Sequence, residues 1–262
     1  MTRGVLDSDA LRSALAERWA RVDVVDETES TNADLMHQSD APDRSVLVAE
    51  HQRSGRGRLD RSWESPARAG LTFSVLLRPS APIATWGWLP LMAGVALYDA
   101  VDEVTSVDVA LKWPNDLLHR ASEQKLAGIL AQTSGEAVVI GVGLNVTTTR
   151  DELPVPGATS LELCGATELD RTQLLGAILA RIDARAAQWS DVGGDAEACG
   201  LASAYRAACA TLGREVTVTT TAGTAVTGTA RGIDHDGRLQ VDVGGQVEVV
   251  GAGDVEHLRP AE

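Results

Sequence analysis

At 262 residues, with 23 Lys and Arg against 37 Asp and Glu, the chain has room for one large domain and a small companion, and its net charge of −14 opposes long-range attraction to nucleic acid or anionic membranes. Apolar runs stay far below the roughly 20 residues that a membrane helix needs, and the acidic start, with Asp7, Asp9 and Glu17, does not read as a secretory signal. Cys164, Cys199 and Cys209 form no CxxC pair, which argues against a disulfide framework or a thiolate metal site and suits a reducing cytoplasm.

Leu11, Leu15 and Trp19 make an i, i+4, i+8 stripe, so residues 8–19 read as a short amphipathic helix capped by Asp7 or Ser8. Strand-like residues 22–25 follow, and Ser30 or Thr31 opens a second helix running from Asn32 to about Gln38. Residues 46–49 and 71–77 read as strands, separated by a long polar loop from about Gln52 to Arg68. The apolar segment 85–104 reads as a central core helix, strands are expected at 109–113, 126–133 and 137–146, and helices at about 171–189 and near 196–211. From Gly213 onward, short Val- and Thr-rich runs broken by Gly, with a hairpin signal at Asp236-Gly237, suggest a small antiparallel barrel. The whole is α+β, divided at 1–212 and 213–262.

Charge is locally inverted at Gly55 to Arg61, where Arg56, Arg58 and Arg61 share a glycine-containing loop. Glycines let backbone N–H groups approach a ligand, and guanidinium groups suit phosphate or carboxylate; the same residues also fit a solvated basic loop. In KWPND, Lys112 to Asp116, the proline ends a strand and leaves Asn115 and Asp116 at its rim, placed to read a base and to hold Mg²⁺, or simply to form a turn. In KLAGIL, Lys125 is a cation of the kind needed to join two anions, and Gly128 permits close backbone contact. GVGLN, ending at Asn145, resembles half of a dinucleotide fingerprint or a closely packed strand, and Ser30-Thr31-Asn32 fits either a helix cap or a polar ligand site.

Taken together and in this order, STN, HQRSGRGR, KWPND, KLAGIL and GVGLN resemble biotin–protein ligases, and with GRLQVDVGG and GDVEHLR the resemblance spans about Val22 to Arg259. It implies a mixed sheet with flanking helices, the class II synthetase-like catalytic domain shared with lipoate ligases, followed by an SH3-like barrel. It further implies that Ser30, Thr31, Asn32, Gln52, Gly55, Arg56, Gly57, Arg58, Lys125 and Gly128 hold biotin. Arg58, Arg61, Trp63, Lys112, Asn115, Asp116, Lys125 and Asn145 would face ATP or the adenylate, with Trp63 stacking on adenine and Asp116 near Mg²⁺. Lys125, Arg56, Arg58 and Lys112 would offset charge as the biotin carboxylate attacks the α-phosphorus of MgATP. A lysine of a biotin carboxyl carrier domain of acyl-CoA carboxylase then takes the biotinyl group. The family commonly has a basic or polar residue and then glycine after GRGR, whereas this chain has Leu59 and Asp60, which bears on how tightly the adenylate is held.

Only 29 residues precede Ser30, too few for a helix-turn-helix and wing, so no DNA binding is expected, and the protein is expected to be a cytoplasmic monomer or weak homodimer. Competing readings are a lipoate or octanoate ligase, which KWPND disfavours, a biotin-dependent DNA-binding repressor, an RNA-binding barrel protein using residues 213–259, and a scaffold whose basic loop contacts an acidic partner.

Overall fold

The structure is a computed structural model that describes residues 3–58 and 61–258. Leu59 and Asp60 therefore lie outside the described residues. Helix α1 (Ser8–Leu15) and strand β1 (Arg21–Thr28) are followed by α2 (Thr31–His37), which leads into β2 (Ser45–Gln52), and β2 pairs with β1 in parallel.

The remaining strands of the main sheet are β5 (Gly70–Leu77), β6 (Val109–Lys112), β7 (Asp116–His119), β8 (Lys125–Ser134) and β9 (Ala137–Asn145). The sheet has seven strands in the order β1-β2-β5-β9-β8-β7-β6, and every pair except β1/β2 is antiparallel. This is the mixed sheet that the resemblance implied.

Alternation along the strands sorts side chains onto two faces. Val46 and Val48, Leu71, Phe73 and Val75, and Ile140, Val142 and Leu144 face one large core. That face is covered by α1, α3 (Trp88–Thr105), α4 (Arg171–Asp191) and α5 (Leu201–Ala208). Leu47, Leu76, Ala137 and Val139 point the other way and meet Leu35 of α2 in a much smaller cluster. Past that cluster the second face carries Thr72, Ser74, Gly141 and Gly143 where apolar residues would otherwise sit, which leaves a floor open to a ligand.

Several boundaries differ from expectation. The stretch expected as an uninterrupted loop contains a two-residue ribbon, β3 (Gly55–Arg56) with β4 (Ser62–Trp63), too short to leave a periodic signal. The strand at 109–113 stops at Lys112 and returns at once as β7, so KWPND is a tight hairpin in which Lys112 lies opposite Asp116. The helix expected near 196–211 is only Leu201–Ala208, because Gly200 takes a left-handed conformation (φ +74°) that breaks the helical path. The first helix ends at Leu15 rather than 19, although Trp19 is still buried.

Beyond Gly213, β10 (Glu215–Thr220), β11 (Ala225–Ile233), β12 (Leu239–Val243), β13 (Gln246–Val250) and β14 (Gly253–His257) form an antiparallel sheet in the order β13-β12-β11-β10-β14. Among the described residues β13 and β14 are not paired, so the strands curl without closing a ring. Val218, Ala230, Leu239 and Val241 join the large core, and the Trp88 and Trp113 indoles donate to His235 O (2.8 Å) and Gly237 O (3.1 Å). The expected turn at Asp236-Gly237 is thus also the contact with the larger part of the chain, Gly237 taking φ +81°.

Candidate functional site

Helix α2 begins at the closed end of a cavity on the second face of the sheet. Ser30 is its N-cap and accepts from Ala33 N, as the capping reading required, yet it also lines the cavity. Thr31 and Asn32 are buried. Gln52 Oε1 accepts from Thr31 N (2.9 Å), and Asn32 Nδ2 donates to Leu130 O (3.1 Å) and Gln132 Oε1 (2.9 Å). Ser74 Oγ lies 2.7 Å from Thr31 Oγ1 and donates to Asn32 Oδ1 (2.6 Å).

Three glycines make the floor. A Cβ on Gly141 would lie 2.2 Å from Asn32 Oδ1, and one on Gly143 would lie 2.3 Å from the Trp63 ring, so neither position tolerates a side chain without displacing its neighbour. At Gly128 the corresponding approach is 3.2 Å to Lys125 Nζ. Trp63 therefore lies against the floor, with Lys125 Nζ 5.9 Å from its ring centroid. Trp63 Nε1 is buried without a hydrogen-bond partner among the described residues.

At the wider end cations and carboxylates alternate. Lys125 Nζ pairs with Asp116 Oδ1 at 2.6 Å, and Arg61 pairs with Asp254 of β14. Burial lowers the Arg58 pKa from its ordinary value, while the negative charges of Asp116 and Asp254 act against that shift. Burial by itself would raise the Asp254 carboxyl, but Arg61, Lys112 and Lys125 outweigh it and hold it below the usual carboxylate range. Lys125 and Arg61 are thus each paired with a protein carboxylate, while Arg56 and Arg58 add positive charge to the same lining.

Of the residues the sequence singled out, Ser30, Thr31, Asn32, Gln52, Arg56, Gly57, Arg58, Arg61, Trp63, Asn115, Asp116, Lys125 and Gly128 line one cavity. Gly55, Lys112 and Asn145 do not line it. Gly55 pairs with Trp63 in the ribbon and sits where a Cβ would be 2.3 Å from Gln52 Nε2. Asn145 is buried and donates to Thr159 O (3.0 Å), tying down the segment after β9, and Lys112 acts on Asp254 and His257 by its charge. Asn115 spends an amide hydrogen on Ile129 O (2.9 Å). Sequence reasoning missed Thr72, Gly143 and Asp254 in the lining, and Ser74 and Gln132 behind it. The two-residue spacing of Gly141 and Gly143 was the available signal for a bare strand face. Asp254 had none, because it arrives from a different sheet.

The cations Arg56, Arg58, Arg61 and Lys125 gathered in one lining suit the positioning of anionic groups against one another. Asp116 suits a magnesium–nucleotide complex, since Mg²⁺ is commonly held by one or two carboxylates together with phosphate oxygens.

Comparison with known proteins bears on this site directly. The Biotin/lipoate A/B protein ligase family matches residues 22–145, and the Biotin protein ligase C terminal domain matches residues 211–258. The chain is 44% identical to a biotin--[acetyl-CoA-carboxylase] ligase of Mycobacterium tuberculosis, an alignment covering 97% of this chain and 99% of that one. It is 35% identical to a ligase of the same name from Paracoccus denitrificans, over 81% and 90% of the two chains. Among solved structures, biotin protein ligase from Aquifex aeolicus in complex with biotin and ATP matches with a TM-score of 0.77 at 28% identity, over 92% of this chain and 100% of that one.

Proposed function

The chain belongs to the biotin/lipoate A/B protein ligase family, and from that premise we propose that it activates biotin with ATP to biotinyl-5′-AMP and passes the biotinyl group to a lysine of a biotin carboxyl carrier domain of acyl-CoA carboxylase. One observation carries the reading: a polar, enclosed cavity end built by Thr31, Asn32 and Gln52 opens without a break onto Arg56, Arg58, Arg61 and Lys125. A neutral hydrogen-bonding head group and an anionic tail fit the two ends, and a nucleotide fits beyond.

Ser30, Thr31, Asn32 and Gln52, with the backbone of Arg56 to Arg58, take the ureido ring. The Gly128 backbone lies along the acyl chain. Lys125 turns from Asp116 to bridge the biotin carboxylate and the α-phosphate, while Arg56 and Arg58 offset the remaining charge. Asp116 faces the magnesium–triphosphate, which supplies the electrophilic phosphorus. The carboxylate oxygen bonds to that phosphorus, pyrophosphate leaves with the bonding pair, and the carrier amine later attacks the acyl carbon and releases AMP.

Trp63 covers adenine once it leaves the floor. Lys112 and Asn145, which do not line the cavity, support the polyphosphate region from the β6–β7 hairpin and the end of β9. The three free cysteines suit a cytoplasmic setting, the protein works as a monomer or weak homodimer, and its net charge of −14 speaks against DNA binding. No helix of the described residues is long and apolar enough to cross a membrane.

Intact-mass measurement of a carrier domain incubated with the protein, MgATP and biotin tests the whole reading. One biotinyl group should appear on one lysine, and pyrophosphate should be released only when biotin is present. An unmodified carrier together with no biotin-dependent pyrophosphate release would overturn it.

A further inference from the structure

Behind the closed end of the cavity, a fully buried serine decides which atoms of that end donate and which accept. Two backbone groups of unambiguous polarity bracket the chain of side chains there. Leu130 C=O can only accept, and it receives Asn32 Nδ2 at 3.1 Å, which fixes the orientation of the Asn32 amide. The second Nδ2 hydrogen goes to Gln132 Oε1 (2.9 Å), so Oδ1 is the atom facing Ser74.

Ser74 must then spend its single proton on Asn32 Oδ1, 2.6 Å away. Its oxygen lies only 2.7 Å from Thr31 Oγ1, and with no proton left Ser74 has to accept there. Thr31 therefore donates to Ser74 in preference to Gln52 Oε1, which is farther at 3.3 Å. The Thr31 hydroxyl is left with acceptor lone pairs only. At the other end Thr31 N–H, which can only donate, takes Gln52 Oε1 at 2.9 Å, so Gln52 Nε2 is the atom left to donate, with no partner among the described residues.

We propose that Ser74 is a positioning residue that sets the hydrogen-bond polarity of the pocket, making Thr31 an acceptor beside the Gln52 donor, so that the site selects a ligand group carrying N–H next to C=O. This rests on the reading that the ligand is biotin, whose cyclic urea is such a group. Ser74 itself is buried, is not part of the lining, and acts only through Thr31 and Asn32.

Removing the hydroxyl frees the Thr31 proton to turn to Gln52 or into the pocket, and Asn32 Oδ1 loses its donor. The test measures binding of biotin and of 2-iminobiotin, in which the ring carbonyl is replaced by an imine, to wild type, S74A and S74T, with the KM for MgATP as control. S74A should weaken biotin about tenfold, as expected for one net hydrogen bond. It should also cut the preference for biotin over iminobiotin by a similar factor, and leave the MgATP KM within about twofold. S74T, which keeps the hydroxyl, should restore both the affinity and the preference.

Unchanged biotin affinity and preference in S74A, with wild type binding biotin, would overturn the role of Ser74 and leave the ligase reading intact. So would joint loss of biotin and MgATP binding in both variants, which would mark a general packing defect. Failure of wild type to bind biotin would instead overturn the ligase reading on which the proposal rests.

Discussion

Lys125 is held in two ways, by the carboxylate of Asp116 and by the face of Trp63. Its side chain is only partly buried, so truncation costs the fold little, whereas loss of a cation from the point where two anions meet costs about 10²- to 10³-fold in rate. K125A should therefore keep its melting temperature within a few degrees while biotin-dependent pyrophosphate exchange nearly vanishes, and wild-type exchange would remove Lys125 from the chemistry. G143A is a complementary probe, because its Cβ would meet the Trp63 ring at 2.3 Å. Displaced from the floor, Trp63 should show red-shifted emission in the ligand-free protein, measured against a W63F background to isolate its signal. The cationic and amide residues were readable because arginines in an acidic chain, or an STN at a helix start, stand out locally. Ser74, Gln132 and Asp254 were not readable, since a lone polar residue in a strand has no pattern until its partners are known.

At the scale of elements, the arginine segment is tied down at both ends of β4: Trp63 pairs with Gly55, and Arg61 reaches Asp254 on β14. That ion pair is exposed, and such pairs contribute about 0.2–1 kcal/mol, enough to bias the segment without locking it. D254N and R61Q should each raise amide exchange of residues 55–58 and 61–63 in the ligand-free protein by a few-fold. The double variant should do no more than either alone, and additive effects would show that the two side chains act separately. Helices α2, α3 and α4 were legible from caps and apolar periodicity. The β3/β4 ribbon and β7 were not, because strands of two to four residues beside proline and glycine are too short for a period to show.

Across the whole molecule, the junction between the two sheets holds a titratable group out of its usual range. Burial, followed by the charges of Lys112 and Arg214, pushes His257 from 6.5 down to about 4, with Glu123 acting in the opposite direction. The unfolded chain binds a proton at His257 below about pH 6.5 that the folded protein refuses until about pH 4. This contribution to stability is thus complete above about pH 6.5 and is lost as the pH falls towards 4. Urea melts of wild type at pH 7 and pH 4.5 should differ by more than those of H257Q, and equal differences would exclude His257 as a cause. The net charge of −14 opposes long-range attraction to phosphate backbones, so a mobility-shift assay at physiological salt is expected to show no DNA binding, and a shifted band would overturn that expectation. The sequence alone determined the order of the main helices and longer strands, the α+β class, the family and most of the polar and cationic lining, because caps, periodicity and clustered residue types are local properties of a chain. Only the tertiary structure decided which face of the sheet is bare, that β14 brings Asp254 to the cavity, and which way each hydrogen bond behind Thr31 runs. Those depend on residues far apart in sequence meeting across strands, and no local pattern encodes the meeting.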